Sequence, residues 1–196
     1  MLARAKLTEA AAEGLLAESA MIAHGRGEAF DYLLGEKTSE SASQAIREVA
    51  ARLLDAERAV ISLNGNTAVL AGDQAIRAAA IIGCSVEVNI YYRTPKRMQK
   101  LISTLEEIRQ KVANEVPPSG WGSSQWSDSV NSLEILGGDA DGRIEGLEGP
   151  RAICSSRGIE AADAILVPLE DGDRCEALVA LGKQVLVIDL NPLSRT

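Results

Sequence analysis

Ala59-Val60-Ile61-Ser62-Leu63, followed at once by Asn64-Gly65-Asn66, is a short aliphatic run that stops at a turn-forming triplet. A run of this length, bounded in this way, reads as a strand buried on both faces. Four more runs of the same kind follow it: Val86–Ile90, Leu133–Leu136, Ala164–Leu169 and Gln184–Leu190. Helical spacing lies between them. Thr94-Pro95 is a start signal for a helix that carries Met98, Leu101, Leu105, Ile108 and Val112 on one face, and a shorter pattern runs from Arg174 to Leu181. Strands alternating with helices predict an α/β fold with a Rossmann-like, doubly wound, mainly parallel sheet.

The stretch before the first strand is helical in pattern. Arg4 to Ala20 is rich in Ala, Leu and Glu, with Leu7, Ala11 and Leu15 at helical spacing, and predicts one long helix ending at Gly25. Ala42, Ala45, Ile46, Val49, Ala50, Leu53 and Leu54 form a second apolar stripe, and Ser41 with Gln44 has the form of a capping box. Residues 1–57 are therefore expected to form a helical N-terminal part, and no repeat or composition break divides 1–196 into further domains. Residues 115–131 interrupt the rhythm with Pro117-Pro118, several serines and the tryptophans Trp121 and Trp126, and read as a long surface loop or insertion. Those tryptophans either cover a site or a subunit contact or simply tie the insertion down.

Composition narrows the function. The 196 residues are 46% hydrophobic, 24% charged and 3% aromatic, which gives one substantial core built from Ala, Val, Ile and Leu. With 28 acidic and 20 basic residues the net charge is -8, which opposes a nucleic-acid partner over most of the surface. Small anions remain admissible wherever arginines gather in one cleft. Cys84, Cys154 and Cys175 form no pair of zinc-ligand or disulfide spacing and fit a reducing, cytoplasmic setting. No apolar run reaches membrane-spanning length, and the N-terminus lacks the pattern of a signal peptide.

An open parallel sheet binds ligands beyond the carboxyl ends of its strands. Those ends carry Asn64, Gly65 and Asn66 after the first strand, Asn89 and Arg93 around the second, Glu170-Asp171-Gly172-Asp173-Arg174 after the fourth, and Asp189 and Asn191 at the last. Each cluster alone also reads as turn and cap residues; together they form a rim of amides, carboxylates and arginines able to meet a nucleotide and its Mg²⁺. There is no G-x-x-x-x-G-K-[ST], no dinucleotide fingerprint and no G-x-S-x-G, and the single histidine, His24, makes a nucleophilic triad hard to assemble. His24 reads equally as a cap near the end of the first helix and as a site residue beside Arg26 and Glu28, which flanking glycines place for close approach to a phosphate.

His24-Gly25-Arg26-Gly27-Glu28-Ala29-Phe30-Asp31-Tyr32-Leu33-Leu34-Gly35-Glu36 resembles the glycine-bounded N-terminal motif of the archaeal phosphopantothenate synthetases, the 4-phosphopantoate:β-alanine ligases. Ile61–Asn66, Glu87–Thr94, Val167–Arg174 and Ile188–Thr196 continue the resemblance in the family's order, so it covers nearly the whole chain. The resemblance implies an ATP-dependent ligase of coenzyme A biosynthesis: 4-phosphopantoate attacks the α-phosphate of ATP, pyrophosphate leaves, and β-alanine displaces AMP from the acyl-adenylate. ATP as substrate, Mg²⁺, a homodimer and a cytoplasmic location come with it. By similarity, Arg4 and Arg26 contact the nucleotide with Asp189, Leu190, Asn191, Arg195 and Thr196. His24, Asn64, Asn66, Asn89, Arg93, Asp171, Asp173 and Arg174 lie in the matching motifs and are expected to serve phosphopantoate, β-alanine or the metal.

Three departures accompany the resemblance. The chain ends at Thr196, where the family continues through a further strand with an Asn-Ile pair, so that strand is expected to be missing. The Pro, Ser and Trp-rich stretch stands out as an insertion, and Cys175 replaces a residue that is usually threonine. Two rival readings follow: a catalytically inactive adenine-nucleotide-binding module of the same fold, and an oxidoreductase resting on fold analogy alone.

Overall fold

The computed structural model describes residues 2–169, 172–189, 191 and 193. Among them the strands are β1 (Ala59–Leu63), β2 (Ser85–Val88), β3 (Ile135–Leu136), β4 (Gly142–Arg143), β5 (Ile153–Cys154), β6 (Ala164–Pro168) and β7 (Gln184–Ile188). Five of them make one parallel sheet in the order β3-β2-β1-β6-β7, with Ile61 opposite Val86 on one side and Leu166 on the other. The chain thus winds outward from β1 through β2 to β3, then returns past β1 to lay down β6 and β7. The winding reverses between β1 and β6, where a doubly wound sheet opens its ligand crevice. The predicted fold class and all five predicted strands are present, the third reduced to Ile135 and Leu136.

Helices cover both faces of the sheet. On one face lie α1 (Leu2–Ala12), α4 (Gly65–Ile82), α5 (Pro95–Ala113) and α6 (Ser123–Ser132), which share a core with Ile61, Leu63, Val86 and Val88. On the other, α7 (Gly172–Ala180) brings Cys175, Ala177 and Leu178 against Val60, Ile165 and Val167. Neighbouring residues of β1 thereby enter opposite cores, as the alternation of a strand buried on both faces requires. α5 starts where Thr94-Pro95 announces it, with the Thr94 hydroxyl accepting from the Arg97 N–H at 3.3 Å. It crosses α4 closely at Gly72, where a Cβ would lie 3.1 Å from Ile108 Cδ1 and 3.2 Å from Leu105 Cδ2.

The N-terminal part departs from the expected single helix over Arg4–Ala20. Gly14, at φ +81°, ends that helix early, because its left-handed backbone suits glycine and turns the chain back. A new helix, α2 (Ser19–Leu34), runs straight through Gly25 and Gly27, so neither glycine is a turn and His24 caps no helix end. α3 (Glu40–Asp55) follows, but Ser39 rather than Ser41 caps it: Ser39 is extended and accepts the Ala42 N–H at 3.1 Å, while Ser41 is already helical. Its stripe docks through Leu53, with Val49 beside it, onto Ala59 and Leu186.

Residues 115–131 are a loop only as far as residue 122. From Ser123 they form α6, whose Trp126 is 1% exposed, meets Trp121 edge to face at 5.7 Å, and donates its indole N–H to the Val112 carbonyl at 3.0 Å. The helix buries what its polar composition hides: two residues, Trp126 and Val130, carry its apolar face. Replacing Trp126 with Ala should lower the unfolding free energy by about 3–5 kcal/mol in urea titration, the range for emptying a buried aromatic site. An unchanged midpoint would mean that the segment contributes nothing to the core.

Candidate active site

At the carboxyl edge of the sheet lies a cavity of about 590 Å³, within the roughly 300–1,000 Å³ common for small-molecule sites. Its floor is the strand ends: Asn64, Gly65 and Asn66 after β1, Ile90, Tyr91 and Tyr92 after β2, Leu169 and Gly172 around the end of β6, and Asp189 and Asn191 after β7. Its roof is the turn Leu15–Ala17 and one side of α2, with Ser19, Ala20, Ala23, Arg26 and Gly27. The arrangement follows from the early end of α1, which lets α2 fold over the switch point. Gly65 sits so close beneath the roof that a Cβ would lie 2.7 Å from Leu16 Cδ2.

The strand ends are held by their own polar side chains. Asn64 caps α4 by accepting from the Thr67 N–H at 3.0 Å, and its amide donates to the Pro168 carbonyl at 2.8 Å, bridging β1 and β6 where the winding reverses. Leu169 follows at φ 52°, the left-handed region in which a branched residue is strained, and still donates its N–H to Ile188 at 2.7 Å. Asp189 accepts from the Asn191 N–H at 2.9 Å, which shapes the end of β7 into a tight turn.

Beneath this floor lies a buried ionic layer. Arg174, 1% exposed at the start of α7, donates to Asn89 Oδ1 at 2.7 Å and to Ser62 Oγ at 2.7 Å, while the Asn89 amide donates to the carbonyls of Arg151 and Ile153 at 3.2 and 3.0 Å. Glu87, fully buried on β2, accepts from the Ser155 N–H at 2.8 Å and the Ile159 N–H at 2.7 Å. Burial raises its carboxyl pKa; those two N–H groups and the charges of Arg174 and Arg93 pull the other way. Arg93 is half-buried and its pKa is lowered by burial, against the pull of Glu87; its guanidinium donates to the Gly137 carbonyl.

The structure brings some of the expected residues together and separates others. Arg26, Asn64, Asn66, Asp189 and Asn191 line the cavity. Asn89, Arg93 and Arg174 are not among its lining residues: they support the strand ends from below. Arg4, on α1, pairs with Glu28 of α2, and that bond lowers the Glu28 carboxyl pKa. His24 itself is half-buried and does not line the cavity. Asp173 is exposed at the start of α7. Asp171, Leu190, Arg195 and Thr196 lie outside the described residues.

Among the lining residues that carry no site expectation from the sequence are Tyr91, Tyr92, Arg97 and Arg151. The tyrosines meet edge to face at 5.1 Å, and Arg97 reaches back from α5 to the Tyr92 carbonyl at 2.8 Å. Arg97 lies in the first turn of a helix four residues past a strand-end arginine, which is the signal that could have singled it out. Among the described residues no three His, Cys, Asp or Glu side chains gather to hold a metal ion, and Asp189 is the only carboxylate in the lining. The cavity therefore offers several cations and amides for anionic groups.

Comparison with known proteins gives a consistent result. Residues 41–121 and 123–196 match the sequence profile of the phosphopantothenate/pantothenate synthetase family. A protein of Methanosarcina mazei named 4-phosphopantoate–beta-alanine ligase is 44% identical over 196 residues, covering 100% of this chain and 68% of its own length. Its namesake in Thermococcus kodakarensis is 44% identical, covering 98% of this chain and 66% of its own, and that of Methanospirillum hungatei is 41% identical, covering 100% and 71%. The chain thus spans about two thirds of the length of these curated relatives.

Because Arg174 satisfies Asn89 and Ser62 at once, replacing it with Met should destabilise the protein by about 3 kcal/mol or more, the cost of orphaning buried polar partners. Denaturant titration of the variant measures it, and a loss below 1 kcal/mol would show the layer to be dispensable.

Proposed function

This chain belongs to the phosphopantothenate/pantothenate synthetase family, and from that premise we propose that it joins 4-phosphopantoate to β-alanine at the expense of ATP. The observation that carries the reading is the meeting, in one cavity, of Arg26 from the N-terminal motif with Asp189 and Asn191 from the final motif. Those segments are far apart in sequence and need no common wall unless one ligand spans them.

In the proposed reaction a carboxylate oxygen of 4-phosphopantoate attacks the α-phosphorus of ATP, the bond to the β-phosphate oxygen breaks, and pyrophosphate departs. The amine of β-alanine, once it has lost its extra proton, then adds to the acyl carbon; the bond to the AMP oxygen breaks, and 4'-phosphopantothenate forms. No protein nucleophile is required, so the protein's part is to align the partners and balance their charge. Arg26, with Arg4 behind it, is assigned to the nucleotide phosphates, and Asp189, Leu190, Asn191, Arg195 and Thr196 to its nucleoside end. Arg97 and Arg151 add positive charge on the opposite wall. Asn64, Asn89, Arg93 and Arg174 are positioning residues that fix the strand ends; His24 orients the Arg4–Glu28 pair, and Asp171 is assigned to the same site by its motif alone. Mg²⁺ is assigned to the nucleotide as its counter-ion, since such an ion keeps much of its water and needs few protein ligands.

We also propose a homodimer. Exposed apolar residues on α2 (Tyr32, Leu33, Leu34) and α3 (Ile46, Leu54) favour association. A cytoplasmic location fits three cysteines that form no disulfide, of which Cys84 and Cys154 have thiol pKa values pushed up to about 12 by burial and are poor thiolates. No helix of the described residues is long and apolar enough to cross a membrane.

The test is release of AMP and 4'-phosphopantothenate from ATP, Mg²⁺, 4-phosphopantoate and β-alanine, each omitted in turn. Turnover that needs all three substrates supports the ligase; ATP binding by the folded chain without product favours the inactive nucleotide-binding module. Arg26 is exposed on the roof, so Arg26→Ala should leave the unfolding midpoint unchanged. It should lower kcat/KM for ATP about 10- to 100-fold, the effect of one charged hydrogen bond.

A further inference from the structure

Asn66 is the second residue of α4, 5% exposed, and lines the cavity. Its amide nitrogen donates to the Ala20 carbonyl of the roof at 2.9 Å. That bond fixes which end of the side chain is oxygen, because a carbonyl can only accept. Oδ1 is left buried with no hydrogen-bond partner among the described residues. A buried acceptor in this state is costly, and native proteins keep one chiefly where a ligand or water completes it.

The ligand atom must therefore be a donor, which rules out phosphate and carboxylate oxygens. A donor that is itself cationic is also disfavoured, since the N-terminal end of α4 carries partial positive charge and Asn66 sits in its first turn. The same helix end favours a carboxylate close by. A neutral hydroxyl next to a carboxylate meets both demands: the anion lies at the helix end and the hydroxyl donates to Oδ1. On the ligase reading, on which this rests, 4-phosphopantoate is such a molecule, a 2-hydroxy acid, whereas β-alanine brings an ammonium group and the nucleoside hydroxyls fall to the Asp189 side.

We propose that Asn66 is a specificity residue whose Oδ1 accepts a hydrogen bond from the 2-hydroxyl of the acyl substrate, selecting a 2-hydroxy acid over its deoxy analogue. The experiment is calorimetric titration of the full chain, with an α,β-methylene ATP analogue present, using 4-phosphopantoate and 4-phosphooxy-3,3-dimethylbutanoate, which lacks the 2-hydroxyl. The unsubstituted protein should bind the deoxy compound about tenfold or more weaker, as loss of a buried hydrogen bond requires. In Asn66→Ala the two affinities should converge. A ratio that persists in the variant, or equal affinities in the unsubstituted protein, overturns the proposal while leaving the ligase reading in place. The second of these outcomes holds even if the variant does not fold. Failure of the unsubstituted protein to bind either compound overturns the ligase reading and the proposal with it.

Discussion

The buried guanidinium of Arg174 is the constraint on which the rest of the architecture depends. It enters from α7, yet its partners are Ser62 on β1 and Asn89 just beyond β2. One side chain therefore fastens a helix laid down after the winding reverses to the strands laid down before it. A charge in that position needs its partners, and they in turn need it. Glu87, one side chain along β2, supplies the opposite charge in the same layer and is itself held by two backbone N–H groups. Room for that carboxylate is made by Gly158, where a Cβ would lie 2.0 Å from Glu87 Oε2.

Above this layer the ligand cavity is a consequence of helix ends. The floor is rigid because Asn64 caps α4 and bonds across to β6 with the same amide. The roof is a separate helix, joined to the floor by the Asn66 contact to Ala20 and by Leu16 lying against Gly65. Ala17, Ala20 and Ala23 give it a shallow inner surface, so volume is left between roof and floor rather than filled by side chains. Arg26, Arg97 and Arg151 line the cavity, whereas Arg93 and Arg174 do not.

Much of this is legible in the sequence. The aliphatic runs after Arg58 have the length and composition of strands buried on both faces, and Thr94-Pro95 sets the start of α5. What escapes is governed by contacts the sequence does not display. α4 begins with Gly65-Asn66 and carries a kink at Ala71, next to the glycine that lets α5 cross, so its local pattern is weak for a helix of 18 residues. α6 is polar apart from Trp126 and Val130, and only tertiary packing makes it a core element. The first two helices read as one in the sequence because Gly14 and Gly25 look alike there, and only Gly14 has a left-handed backbone. Within the site, residues at strand ends follow from the sheet rule and Arg97 stands close to one of them, whereas Arg151 reaches the cavity from a segment whose approach no spacing encodes.

The ionic layer also bears on how the chain acquires its fold as it is made. Glu87 waits for N–H groups 68 and 72 residues downstream, Asn89 for a guanidinium 85 residues away, and Ser62 for the same group at 112. Strands β1 and β2 can pair early, yet a carboxylate, an amide and a hydroxyl on them stay hydrated until the region from Ser155 to Arg174 arrives. Closure of the sheet is thus a late, long-range event that must displace water from all of these groups together. A nascent chain halted before Ser155 would hold its first two strands with a wet carboxylate, amide and hydroxyl still waiting for their partners.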